Sequence, residues 1–292
     1  MSFAKIAVVG AGVMGQGISQ TVASTGTEVL LVDVNEEQLK ASLKSLSDEM
    51  DREIERWGMT SSEKKAINSR IKTSYILEDT ADFPLIIEAI PEDLSVKKGL
   101  FSKLDKVCPP ETVLVTNTST LSITEIAAAT MRPEQVIGLH FLNPVPKIPL
   151  VEIVRGLKTS DETYDKIKDF AQSLGKTPVK VFEYPGYVTT RIIVPLLNEA
   201  MHVMMEGVAT AADIDNAIKL GYGFNIGPLA LADKMGLDVV MDWMENLLNE
   251  LSDHKYNPCP LLRKMVRAGH LGVKTGQGFF KYDKDGNRIL DE

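Results

Sequence analysis

The chain has 292 residues, 44% of them apolar and 25% charged, with a net charge of −8 and a pI near 5.2. That length exceeds what one hydrophobic core serves well, so two domains are expected, and the acidic balance excludes a protein that binds nucleic acid by neutralising a run of phosphates. No apolar run approaches the roughly 20 residues that span a bilayer, and the first strand starts too close to Met1 for a signal peptide to precede it, so a cytoplasmic protein is expected.

Lys5 to Val9 is a short apolar run ending at glycine, and Glu28 to Val32 is a second, ending at Asp33. The stretch between them is helical in pattern, which makes one βαβ unit. From Asn35 to Lys72 the pattern is helical and densely charged, with eight basic residues (Lys40, Lys44, Arg52, Arg56, Lys64, Lys65, Arg70, Lys72) against eight acidic ones. A projecting pair of helices is expected there. Two readings stand for its bases: a solvated face laced with i,i+4 pairs, or phosphate contacts made by a few of them. Leu85 to Ile90, Thr112 to Val115, Val136 to Leu139 and Leu150 to Val154 are rich in Val, Ile and Leu without polar alternation. Such runs suit a parallel sheet covered on both faces. Helices are expected at Leu94 to Val107, Ser122 to Ala129 and Glu162 to Leu174, the last stopped by Gly175.

At Tyr184-Pro185-Gly186 the character changes and strand signals almost vanish until the last residues. Residues 1–185 are therefore expected to form a Rossmann-type doubly wound, mostly parallel α/β domain with a helical insertion at about 35–72, and residues 186–292 an all-helical C-terminal domain. Its expected helices are Tyr187 to Glu206, Ala209 to Leu220, Pro228 to Leu251 and Pro258 to Ala268. Methionines on their apolar faces (Met201, Met204, Met205, Met235, Met241, Met244) are expected to pack against each other or a second subunit. Cys108 and Cys259 lie far apart and each beside a proline, which fits a reducing compartment and no metal site.

Gly10-Ala11-Gly12-Val13-Met14-Gly15 matches G-x-G-x-x-G in the context that gives the motif meaning: it follows a strand, opens a helix, and has an acid, Asp33, 23 positions after Gly10. The first glycine allows the tight turn, the second lets backbone approach a pyrophosphate, and the third lets helix and strand pack closely. The helix N-terminus adds free N–H groups and partial positive charge. Asp33 can accept from both adenosine ribose hydroxyls and would repel a 2′-phosphate, so NAD is expected rather than NADP. The alternatives are a flavin and a turn that only connects strand to helix.

Histidine is scarce, and His140 sits at the end of an expected sheet strand, where ligands of doubly wound folds collect. Its usual titration range suits proton exchange near neutral pH. Glu152 lies in the following strand, so a tight turn between them would set its carboxylate against one imidazole nitrogen. On the residues alone, a buried histidine satisfied by backbone remains an equal reading.

Leu139-His140-Phe141-Leu142-Asn143-Pro144-Val145-Pro146, followed by Leu150-Val151-Glu152, resembles the signature of the L-3-hydroxyacyl-CoA dehydrogenase family. The resemblance runs along nearly the whole chain, through Glu88-Ala89-Ile90-Pro91-Glu92 with Lys97, Thr116-Asn117-Thr118-Ser119-Thr120, Pro185-Gly186-Tyr187, Gly227-Pro228 and Lys274-Thr275-Gly276-Gln277-Gly278-Phe279. The single-module length is similar to that of the family's bacterial 3-hydroxybutyryl-CoA members. What the resemblance implies is NAD-dependent oxidation of a 3-hydroxyacyl-CoA thioester, with His140 as general acid and base oriented by Glu152 and with Ser119 bonding the reacting oxygen. It further implies NAD contacts from Glu92, Lys97, Asn117, Ser119, Asn143 and Lys274, and a homodimer formed through the C-terminal region. Where relatives usually carry asparagine, four places after Gly186, this chain has Thr190, a shorter side chain at a position that helps hold the thioester. That departure keeps two alternatives open: the same chemistry on a dicarboxylic, cyclic or branched acyl group or a free hydroxy acid, and a non-catalytic, crystallin-like NAD binder.

Overall fold

The computed structural model describes residues 3–289. It divides into two compact units, one ending at Tyr184 and the other beginning at Pro185. The first unit is built on an eight-stranded sheet. In chain order it comprises β1 (Lys5–Val9), α1 (Val13–Ser24), β2 (Glu28–Val32), α2 (Glu36–Glu55), α3 (Ser61–Arg70), β3 (Ile71–Ser74), β4 (Leu85–Glu88), α4 (Leu94–Val107), β5 (Val113–Thr116), α5 (Ile123–Ala127), β6 (Val136–Phe141), β7 (Leu150–Arg155), α6 (Asp161–Ser173) and β8 (Thr177–Phe182). The spatial order is β3-β2-β1-β4-β5-β6-β7-β8. All neighbours run parallel except β6 and β7, which pair antiparallel. The order reverses between β1 and β4, which is where doubly wound sheets open a crevice at their strand ends.

Interior strands are buried at every position, as in β4, β5 and β6. Their continuous apolar character follows from being covered on both faces. Their side chains join those of α1 and α6 in one core that includes Ile6, Val8, Ile18, Ile87, Leu139 and Phe170. The charged insertion is a helical pair. Asn35 caps α2 by accepting from the amides of Glu37 and Gln38, and a Thr60–Glu63 capping box starts α3. Helical character nevertheless stops at Arg70, and Ile71 and Lys72 belong to β3 rather than to the insertion.

The second unit contains α7 (Thr189–Met205), α8 (Ala211–Tyr222), α9 (Pro228–Met235), α10 (Leu237–Leu251) and α11 (Pro260–Arg267), with a small antiparallel hairpin, β9 (Lys281–Tyr282) and β10 (Arg288–Ile289), as the exception to its helical character. The single helix expected over Pro228 to Leu251 is two, because Gly236 takes φ +99, a conformation that ends α9 and starts α10. Of the six singled-out methionines, Met201 and Met244 are fully buried in this unit's core, Met204, Met235 and Met241 pack partly buried against it, and Met205 is exposed. Cys108 and Cys259 are both buried free thiols, one in each unit.

Candidate active site

The ends of β1, β2, β4, β5 and β6 and the start of β7 converge on one edge of the sheet, and every candidate residue of the first unit lies there. At Gly10 the backbone takes φ +107, and a Cβ would stand 2.5 Å from the carbonyl oxygen of Ala89. A Cβ on Gly15 would meet the carbonyl oxygen of Gly10 at 1.8 Å, so this turn closes only with glycine at both places. Gly12 differs: its φ is an ordinary −67°, and a Cβ would meet nothing within 4 Å. The start of α1 carries no side-chain cap and no acid in its first turn, and Val13 is largely exposed. Those unsatisfied amides fit a pyrophosphate.

Asp33 accepts from the Ala11 amide at 2.8 Å and, weakly, from that of Asn35 at 3.4 Å. The Ala11 carbonyl in turn accepts from Gln16 at 3.0 Å and from the buried Ser42 hydroxyl of α2. Turn and acid are thus fixed to each other before any ligand arrives, and the residues present fit the adenosine and pyrophosphate of NAD.

A buried network follows at the ends of β4 and β5. Glu88 is fully buried and accepts from Lys97 at 2.5 Å, the Ile90 amide at 2.8 Å and the Thr116 hydroxyl at 2.6 Å. Burial holds its carboxyl above the ordinary carboxylate range against these donors. Lys97 is 1% exposed; its ammonium also donates to the Ile90 carbonyl at 3.2 Å and lies 3.4 Å from Glu92. Its three donors are therefore directed at protein oxygens, and its place is behind Glu92 rather than at open space. Glu92 accepts from the Thr118 hydroxyl at 2.5 Å and from the amides of Ser119 at 2.9 Å and Thr120 at 3.1 Å. Burial raises its carboxyl, but Lys97 and these donors outweigh that and hold it below the usual range. One carboxylate thus fixes the turn that carries Ser119, whose hydroxyl lies 3.2 Å from the same oxygen. Asn117 accepts from the Phe141 amide at 2.9 Å, which ties this turn to β6.

His140 and Glu152 face each other directly across the antiparallel β6–β7 pair, and a directly opposite pair projects side chains to the same face. The Glu152 carboxylate meets Nδ1 of His140 at 2.7 Å, with the imidazole 4% exposed and the carboxylate fully buried. A buried carboxylate at Nδ1 fixes the neutral ring with its proton on that nitrogen and stabilises the imidazolium when the ring gains a second. Asn143 follows on the exposed loop between the two strands.

The remaining candidates lie in the second unit. Thr190 is the second residue of α7 and is buried, after a turn in which Gly186 takes φ +79 and Tyr187 φ +52. Lys274 is half-exposed and pairs with Asp238 of α10 at 2.5 Å. Four residues of the first unit's network lie in the runs that carry the resemblance but were given no role by sequence reasoning: Glu88, Thr116, Thr118 and Thr120. A signal existed for Glu88, since a carboxylate closing a strand that is otherwise Leu85-Ile86-Ile87 needs a cation, and Lys97 lies one turn into the next helix.

Two family-wide sequence patterns cover the chain: the NAD-binding domain of 3-hydroxyacyl-CoA dehydrogenase over residues 5–184 and the C-terminal domain of the same enzyme over residues 186–282. A probable 3-hydroxybutyryl-CoA dehydrogenase of Bacillus subtilis is 48% identical over 97% of this chain and 99% of its own, and a 3-hydroxybutyryl-CoA dehydrogenase of Clostridioides difficile is 45% identical over 96% and 100%. The crystal structure of FadB2 from Mycobacterium tuberculosis superposes with a TM-score of 0.94 at 37% identity, covering 97% of this chain and all of that one. With the dinucleotide turn, the acid after β2 and the paired histidine and glutamate in place, these matches show that the chain belongs to the NAD-dependent 3-hydroxyacyl-CoA dehydrogenase family.

Proposed function

We propose that the chain interconverts an L-3-hydroxyacyl-CoA and its 3-ketoacyl-CoA, with 3-hydroxybutyryl-CoA and acetoacetyl-CoA as the substrate pair. The observation that carries this reading is the buried His140–Glu152 pair beside a preorganised dinucleotide turn. When bound, NAD supplies the hydride acceptor. His140 takes the 3-hydroxyl proton at Nε2, because Glu152 holds Nδ1, and the same carboxylate offsets the charge that the ring gains. Ser119, held by Glu92, donates to the oxygen at C3. In the reductive direction His140 returns the proton to that oxygen. Asp33 accepts from the adenosine ribose, the Gly12–Met14 amides face the pyrophosphate, and Glu92, Asn117 and Asn143 supply polar contacts toward the nicotinamide half. Lys97 serves that half through Glu92.

Thr190 favours a second reading of the acyl group, in which a bulkier or more polar acyl chain uses the room that asparagine would take. Purified protein, NADH and acetoacetyl-CoA, followed at the nicotinamide absorbance band, decide between them. Rapid oxidation supports the short linear substrate. Oxidation only with another 3-ketoacyl-CoA moves the assignment to that acyl group, and NAD binding without turnover of any thioester leaves a non-catalytic binder. A homodimer through the helical unit belongs to the same reading, supported by the exposed Ile192, Leu220, Tyr222 and Phe224. So does a cytoplasmic location, supported by two buried free cysteines; no helix among the described residues is long and apolar enough to cross a membrane.

A further inference from the structure

The segment from Leu142 to Pro149 joins the strand of His140 to the strand of Glu152 and carries Asn143. Three elements hold it. Val145 is buried against α1, so closely that a Cβ on Gly17 would stand 3.0 Å from the Val145 Cβ. Lys147 pairs with Glu53 of α2 at 2.6 Å. Behind the segment, Lys176 at the foot of β8 points its ammonium inward and donates to the carbonyls of Val145 at 2.5 Å and Ile148 at 2.8 Å.

The third hold is chemically odd. Lys176 is 7% exposed, and its ammonium has no carboxylate partner among the described residues. Lysine is rarely buried without a counter-charge, since desolvating the ammonium is costly. Burial accordingly pulls the Lys176 amine below its ordinary range. A loop that needed only to be covered would be served by leucine or methionine. What an ammonium adds is two directed donors to two carbonyls three residues apart, and these fix both the position and the tilt of the peptide planes between His140 and Glu152.

We propose that Lys176 is a positioning residue for catalysis: by clamping the carbonyls of Val145 and Ile148 it sets the loop that places Asn143 and the His140–Glu152 pair against the dinucleotide bound on α1. The Gly17–Val145 contact makes the loop rest on the same helix whose first turn faces the pyrophosphate, so cofactor and proton-transfer group share one frame. The proposal rests on the dehydrogenase reading, and misplacement of catalytic groups by as little as 1 Å lowers rate steeply.

The test uses the whole enzyme in the NADH and 3-ketoacyl-CoA assay, after wild type has shown turnover; a wild type without turnover is a failure of the dehydrogenase reading and not of this one. Lys176→Met keeps length and removes both donors. We expect kcat to fall at least tenfold while the Kd for NAD stays within about threefold, with Lys176→Gln, which retains a donor, recovering part of the loss. A loss that only tracked stability would leave kcat per folded molecule unchanged. Gly17→Ala displaces the loop from its other side without touching Lys176, and it strengthens α1 by removing a helical glycine. It is expected to lower kcat severalfold, with Tm unchanged or lowered by a few degrees because crowding against Val145 offsets the helix gain, and kcat is compared per folded molecule. A folded Lys176→Met enzyme with kcat within twofold of wild type overturns the proposal, as does an unchanged kcat in Gly17→Ala should Lys176→Met fail to fold.

Discussion

Each unit sets an aspartate beside a glycine-rich turn, and the two arrangements serve opposite ends. In the first unit Asp33 accepts strongly from one amide only, and Gly12 in the adjoining turn faces open space. In the second, Asp233 of α9 is buried and accepts from the amides of Phe279 and Phe280, both at 2.9 Å, and from the Tyr282 hydroxyl at 3.0 Å. A Cβ on Gly278 would stand 2.0 Å from its Oδ1. Glycine before a saturated carboxylate makes room for the protein's own chain. Glycine before an unsaturated one makes room for a ligand. The donors around a carboxylate, rather than its burial, separate a binding device from an architectural one.

Glu152 sharpens that contrast, because its partner is the imidazole of His140, proposed above as the acid and base of the reaction. The largest effect is expected from Glu152→Gln and His140→Ala, each lowering kcat by roughly 10²–10⁴-fold, the usual worth of an oriented acid–base group. The Kd for NAD and the Tm should stay close to wild type, as measured by fluorescence titration and calorimetry. An equal loss of NAD binding would contradict an acid–base role and place the pair among the architectural carboxylates.

The glycines give the next test, one in each unit. Gly278→Ala forces a methyl into Asp233 and should cost about 1–3 kcal/mol of stability, the range for overpacking, with the Kd for NAD unchanged. Gly12→Ala should do the reverse: its backbone accepts alanine and Tm holds, but the methyl occupies the space meant for the pyrophosphate. About a tenfold weaker Kd for NAD is expected, which is about 1.4 kcal/mol. If both variants lose stability and neither loses affinity, the two turns are alike and the distinction fails.

The same physics explains what could be read in the sequence. Glu28–Val32 and Leu94–Val107 stand where their apolar patterns put them, and the interior strands were visible because both faces are covered. The two strands that sequence reasoning passed over, β3 and β8, are the two edges of the sheet. In β3 the middle residues Lys72 and Thr73 are exposed, so the strand reads as the tail of a charged helix. In β8, Pro178 and Lys180 interrupt the pattern, with the Lys180 ammonium 4.8 Å from the Tyr164 ring centroid and 5.3 Å from that of Phe182. Proline and lysine guard an edge against further pairing and thereby hide it. At the site, the motif and the His140–Glu152 spacing were legible, and Lys97 was singled out by resemblance, whereas Lys176 was not, because nothing local marks a lysine whose partners lie on other elements.

The smallest expected effect is a pH dependence confined to the second unit. Burial raises the Asp233 carboxyl from 3.8 to about 6, and the amides of Phe279 and Phe280 and the Tyr282 hydroxyl pull it down only in part, while nearby Asp215 pushes it further up. The folded state therefore holds this proton more tightly than the unfolded chain does. Stability is then greatest where both states are protonated, declines as pH rises from about 4 to 6 while only the unfolded chain ionises, and levels off above 6. Moving from pH 7 to pH 5 should return about 1 kcal/mol to the second unit's unfolding free energy, and Asp233→Asn should remove that slope whatever it does to the absolute value. Denaturant titrations of both proteins at the two pH values measure it. Equal slopes would mean that Asp233 titrates as an ordinary exposed aspartate, and that burial against the last glycine turn does not hold its proton.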